Sequence, residues 1–106
     1  PLYDIISVYP VLGGTGLNIR DAKLAMGLTA TKGKKYQIEQ IFPRHFLATA
    51  NRVGFSQQAM NELLEEFVEK TPMVIQRIQA QLPDDFPPHI QHSILNGLEH
   101  RVRRLL

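Results

Sequence analysis

The chain has 106 residues, enough for one domain with a modest core, and it contains no cysteine, which excludes disulfide frameworks and thiolate metal sites. Twelve basic and ten acidic residues give a formal net charge of +2, too small by itself to indicate a nucleic-acid-binding protein. No apolar run approaches the roughly 20 residues that span a bilayer and no signal-peptide pattern opens the sequence, so we expect a cytoplasmic protein without membrane contact. Because the first residue is Pro1 rather than Met, we expect a fragment or a processed chain.

Residues 1–42 are predicted to be an irregular, turn-rich segment, because glycines recur there and helical periodicity is absent. Within it, residues 23–28 and 36–41 are short stretches that we expect to pair as a small hairpin, with its turn near Lys32-Gly33-Lys34. A basic cluster lies at this turn, and its simplest interpretation is a solvated loop: Lys32, Lys34 and Lys35.

Helical periodicity dominates residues 43–106, where four amphipathic helices are predicted. Pro43 suits the first turn of a helix that Gly54 ends, and Ser56 is positioned to cap the second. The second helix carries one apolar stripe, formed by Met60, Leu63, Leu64, Phe67 and Val68. Thr71-Pro72 repeats the cap-then-proline pattern, which predicts a third helix there.

The third predicted helix has an apolar face of Val74, Ile75, Ile78 and Leu82. The proline-rich stretch at residues 83–88 is predicted to break the chain before the last helix. That helix carries apolar residues three or four positions apart, at Ile90, Ile94, Leu98, Val102 and Leu105. These patterns predict a mainly α fold, a helical bundle of residues 43–106 with about fifteen apolar side chains in its core.

Few side chains outside the amino-terminal segment are candidates for chemistry. We expect His45 to fix the start of its helix or a loop carbonyl. His89 and His92 could share a helix face, but a zinc site needs three or four ligands and no partner follows. Asp84 and Asp85 lie among prolines, which favours an exposed turn over an acid–base pair.

Asp4 is the main candidate, in Tyr3-Asp4-Ile5-Ile6-Ser7. The aromatic and apolar neighbours would pin the backbone so that one carboxylate points into a site. Such a carboxylate can hold a hard divalent cation against nucleotide phosphates. A helix N-cap is the alternative interpretation of an isolated Asp.

Five segments in a fixed order extend this interpretation: Tyr3–Ser7, Pro10–Gly16, Lys23–Leu28, Lys32–Lys35 and Pro43–Ala50. Together they resemble the C-terminal part of the HipA family of serine/threonine kinase toxins from bacterial toxin–antitoxin pairs. The resemblance covers nearly the whole chain and is strongest to about residue 50. It implies that the bundle is the C-terminal kinase lobe, that Asp4 corresponds to the magnesium-binding Asp of the D-F-G motif, and that Tyr3 lines the nucleotide pocket.

The resemblance also implies what the parent protein does. It would use ATP and Mg²⁺ to phosphorylate glutamyl-tRNA synthetase, causing growth arrest and persistence. In such kinases the catalytic-base Asp, the second metal-binding Asn and a phosphate-binding Lys precede the Tyr-Asp stretch. None of these is among the present residues, so we expect the isolated chain to be inactive, with no catalytic residue of its own.

DNA contact is a further implication of the resemblance. HipA-like toxins sit on operator DNA with a dimeric helix-turn-helix antitoxin of the HipB type, associated with the nucleoid. Lys35 matches a basic position of the family, and Asn51 and Arg52 lie at the helix end that relatives present to the phosphate backbone. Relatives have basic residues at the positions of Asn51 and Gly54, where this chain has none. Two alternatives remain open: a non-catalytic interaction module for antitoxin and operator, and a decayed toxin remnant.

Overall fold

The computed structural model describes residues 6–13 and 16–106. The described chain contains two strands, β1 (Lys23–Thr29) and β2 (Lys34–Gln37), and three α-helices, α1 (Pro43–Arg52), α2 (Gln57–Gln81) and α3 (Pro88–Arg103). Short 3₁₀ turns lie at Tyr9–Val11, Ile19–Asp21 and Ile38–Gln40. The prediction of a mainly α fold with a short hairpin is confirmed.

The hairpin is antiparallel, and its register pairs Lys23 with Gln37 and Thr29 with Lys34. An irregularity between Lys23 and Leu28 allows seven residues of β1 to face four of β2. The second strand was predicted too late in the chain, because residues 38–40 form a 3₁₀ turn instead. The hairpin packs on α1, where the Thr49 hydroxyl accepts a hydrogen bond of 2.8 Å from the Thr29 amide.

Local signals place the ends of the helices correctly. Gly54 has a φ of 77°, a conformation that glycine adopts without strain, and α1 ends just before it. The Ser56 hydroxyl accepts a hydrogen bond of 3.2 Å from the Ala59 amide and caps α2. The break after α2 also occurs where the prolines predicted it, between Gln81 and Pro88.

The prediction of a new helix at Thr71-Pro72 was wrong, because α2 is one continuous helix of 25 residues that includes Pro72. The Thr71 hydroxyl donates back to the Phe67 carbonyl, as threonine does inside a helix, instead of accepting from a following amide. Pro72 removes one backbone hydrogen bond. Helix α2 packs against both α1 and α3, and such tertiary packing supplies most of the stability of a helix in a protein.

The core is much smaller than the sequence predicted. Only four apolar residues among those described are buried, namely Ala22, Ala50, Leu64 and Leu95. The chain exposes 8231 Å² of surface, whereas a compact monomer of 12.1 kDa exposes about 6,000 Å². The helices therefore leave apolar side chains uncovered that the sequence pattern had assigned to the core.

Two contacts tie α3 to the amino-terminal half. The Tyr9 ring lies against Gly97, where a Cβ added to the glycine would approach ring atoms to 2.5 Å. Near the end of α3, Arg101 donates to the Ile38 carbonyl and the Glu39 carboxylate, and Arg104 donates to the Glu39 carbonyl. These contacts hold the 3₁₀ turn after β2 against the last helix.

Gly97→Ala tests the first contact. Alanine normally stabilises a helix by about 1 kcal/mol relative to glycine. Here we expect a net loss of about 1–3 kcal/mol in the free energy of unfolding, because the methyl group would overlap the Tyr9 ring. Urea denaturation measures the change, with the exposed Asn96→Ala as the control. In a Tyr9→Ala background the loss should disappear; if it persists, the ring is not its cause.

Candidate functional site

Tyr3 and Asp4, the predicted nucleotide and metal residues, lie outside the described residues. The nearest described anchor is Tyr9, five positions after Asp4 in the sequence. Burial raises the pKa of the Tyr9 phenol, while the neighbouring Arg101 guanidinium acts in the opposite direction. The segment that follows the Tyr-Asp stretch is thus attached to α3, the last helix of the chain.

A basic groove of about 350 Å³ runs along the hairpin. It is lined by residues of both strands: Lys23, Lys34, Lys35, Tyr36 and Gln37. Tyr36 keeps 42% of its surface exposed beside the lysines. The ammonium groups of such a site can bind phosphates, and the exposed aromatic ring beside them can stack on a base or sugar.

The charge around this groove is strongly segregated along the chain. Residues 22–61, which contain the hairpin and α1, include six basic residues and one acidic residue, Glu39. The Glu39 carboxylate is already paired with Arg101. Four of the ten acidic residues of the chain follow directly in α2, at Glu62, Glu65, Glu66 and Glu69. One half of the molecule is therefore basic although its net charge is small.

His45 fixes the start of α1, as predicted. Its Nδ1 accepts a hydrogen bond of 2.9 Å from the Phe42 amide, which otherwise has no partner within the helix. Burial lowers the pKa of His45, and the nearby charges of Arg44 and Lys35 lower it further. The neutral ring is the form that can accept this hydrogen bond, so its role is structural.

The three predicted DNA-contact residues belong to the unit of hairpin and α1, but they do not form one cluster. Lys35 is half-buried on β2, close enough to the first turn of α1 to act on His45. Asn51 and Arg52 are exposed in the last turn, about 10 Å further along the helix axis. Lys35 thus belongs to the basic groove, and the other two residues would make a separate contact.

Within residues 6–13 and 16–106, no group of three or more His, Asp or Glu side chains is arranged to hold a metal ion. In the same part of the chain, no helix is long and apolar enough to cross a bilayer. No protein-family model matches the sequence. The resemblance to HipA-like toxins therefore depends on the order of the quoted segments alone.

Sequence reasoning missed Lys23 and Lys34 as members of one groove and interpreted the lysine cluster as a solvated turn. The available signal was the absence of any acidic residue from position 22 to position 38. It also assigned Leu63 and Phe67 to the core, although 40% and 62% of their surfaces are exposed. The apolar positions of α2 spread over too wide an arc for one packed stripe, which could have indicated a second face.

The role of His45 predicts a pH dependence of stability. An unfolded histidine titrates near 6.5, whereas the folded pKa of His45 is lower. As the pH falls below about 6.5, the unfolded state binds the proton first, and the free energy of unfolding should decrease. His45→Gln should flatten this dependence between about pH 7.5 and pH 5, and chemical denaturation at each pH measures it. The exposed His92→Gln should keep the wild-type slope; an unchanged slope in His45→Gln would contradict the assignment.

Proposed function

We propose that this chain forms the C-terminal helical lobe of a HipA-like serine/threonine kinase toxin. The observation that carries the proposal is the Tyr3–Ser7 segment, followed in order by the four further segments that resemble this family. The mainly α architecture with a hairpin around Lys32–Lys35 and a helix starting at Pro43 is compatible with it. Exposed apolar side chains outside α2, such as Leu24 and Met26 of β1, are also compatible with a lobe that packs against further protein.

In this proposal Asp4 would hold a magnesium ion that neutralises charge on the ATP phosphates during transfer to a serine hydroxyl. Tyr3 would line the nucleotide pocket. The catalytic base, the second metal ligand and the phosphate-binding lysine would come from the rest of the kinase, so the 106 residues alone would not turn over ATP. The protein substrate implied by the resemblance is glutamyl-tRNA synthetase, and the outcome of its phosphorylation is growth arrest and persistence.

Asp4→Asn in the full kinase tests this role. The amide keeps the size of the side chain but removes the charge that binds the metal, so we expect phosphate transfer to glutamyl-tRNA synthetase to fall at least about 100-fold. Transfer of the γ-phosphate from labelled ATP measures it, with the exposed Asp85→Asn as the control. Wild-type transfer by Asp4→Asn would refute the assignment.

A second candidate function is favoured by the segregated charge. The basic groove of the hairpin would bind the phosphate backbone of DNA, alongside a HipB-like helix-turn-helix antitoxin that reads the operator sequence. This role needs no catalytic residue and would persist in a non-catalytic interaction module. Lys35 would act in the groove, while Asn51 and Arg52 would contact a neighbouring stretch of backbone.

Lys34→Gln and Lys35→Gln test the groove. Each substitution removes one phosphate contact. The slope of the logarithm of the DNA affinity against the logarithm of the salt concentration should therefore fall by about one in magnitude. The loss should be equal on two duplexes of unrelated sequence, measured by fluorescence anisotropy from about 50 to about 200 mM salt with the antitoxin complex. Lys70→Gln removes an exposed lysine from α2 and should leave the slope unchanged. Equal slopes for wild type and both groove variants would exclude this interface.

A further inference from the structure

Helix α2 has a second apolar stripe that residues 6–13 and 16–106 leave largely exposed. Its members are Leu63, Phe67, Val74 and Ile78, with 40%, 62%, 43% and 37% of their surfaces exposed. At 100° per residue these four positions fall within an arc of about 60°. The stripe lies beside the packed face of the helix, which contains the buried Leu64 and Thr71.

The spacing of this exposed stripe is symmetric about the point between Lys70 and Thr71. Leu63 and Ile78 lie at equal distances on either side of that point, and so do Phe67 and Val74. An isologous interface requires such a self-complementary arrangement, because residue i contacts residue j and j contacts i. Two antiparallel α2 helices would place Leu63 opposite Ile78 of a second copy, and Phe67 opposite Val74.

The charges of α2 favour the same arrangement. All four glutamates lie before position 70, and the two basic residues, Lys70 and Arg77, lie in the remaining part. In the antiparallel register, Arg77 lies within one turn of Glu66 of the second copy, and both residues lie on the same edge of the stripe. A parallel pair would instead place the acidic halves together.

The surface beside the stripe has room for a second helix. A cavity of about 440 Å³ lies between α2 and α3, lined by the first three stripe residues and by Leu98. Glu66 and Lys70 form an ion pair at its rim. Side chains of an incoming helix would enter an apolar groove bordered by charges, which is the usual composition of a specific interface.

We propose that α2 is the interface of an antiparallel homodimer, and that its occupant is α2 of a second copy of this chain. The proposal depends on the stripe and charges of α2 alone and is independent of the kinase and DNA proposals. Substitutions at α2 therefore test it without involving Asp4 or the basic groove.

Cross-linking in the full polypeptide that carries this sequence provides the decisive test. The chain contains no cysteine, so engineered thiols here react without background from these residues. Leu63→Cys/Ile78→Cys should form a covalent dimer with a short bis-maleimide linker. Leu63→Cys alone should not, because the two copies of position 63 would be about 22 Å apart along the helix axis. Efficient linking by the single variant would indicate another arrangement and overturn the proposal.

Sedimentation equilibrium can measure the effect of charge substitutions that leave the apolar side chains of the stripe unchanged. Arg77→Glu should raise the dimer dissociation constant at least about tenfold, and adding Glu66→Lys should restore it. The exposed Arg103→Glu on α3, outside the interface, should have no comparable effect. A monomeric wild-type protein would overturn the proposal. Thiols at positions 63 and 78 that neither link nor react with maleimide would also overturn it, because they would show that another segment covers the stripe.

Discussion

The arrangement of this protein depends on the contact between the end of α3 and the 3₁₀ turn at Ile38–Gln40. Arg101 binds both the Ile38 carbonyl and the Glu39 carboxylate, and Arg104 binds the Glu39 carbonyl. The guanidinium of Arg104 also lies 4.4 Å from the centroid of the Phe42 ring, and the guanidinium of Arg44 lies 4.8 Å from the same centroid. Because Arg101 and Arg104 lie more than 60 positions from the turn that they bind, these contacts close the chain into one unit.

The same contact determines where charge is available. Glu39 is the only acidic residue between positions 22 and 61, and its pairing with Arg101 leaves the lysines of the hairpin without a nearby acidic partner in that range. A groove whose positive charge is not neutralised attracts polyanions over distances up to the Debye length of about 8 Å in physiological salt.

The small core limits the stability of the isolated chain. The four apolar residues that are buried among residues 6–13 and 16–106 cannot by themselves offset the ordering of a chain of this length. The uncovered stripe of α2 therefore represents stabilisation that becomes available only on association. The basic groove on the hairpin and the apolar stripe on α2 are different surfaces with different chemistry, so one molecule could use both at the same time.

The sequence by itself determined the helix ends, because Pro43, Gly54, Ser56 and the prolines after Leu82 act through their own backbone and the residues next to them. It also determined the role of His45, which depends on an amide three positions away. The tertiary structure decided that Pro72 lies inside a helix, since packing of α2 against α1 and α3 overrides the local tendency of proline to break it. It also decided which apolar residues are covered and which lysines share a groove, because both depend on segments that are distant in sequence and meet only in the folded chain.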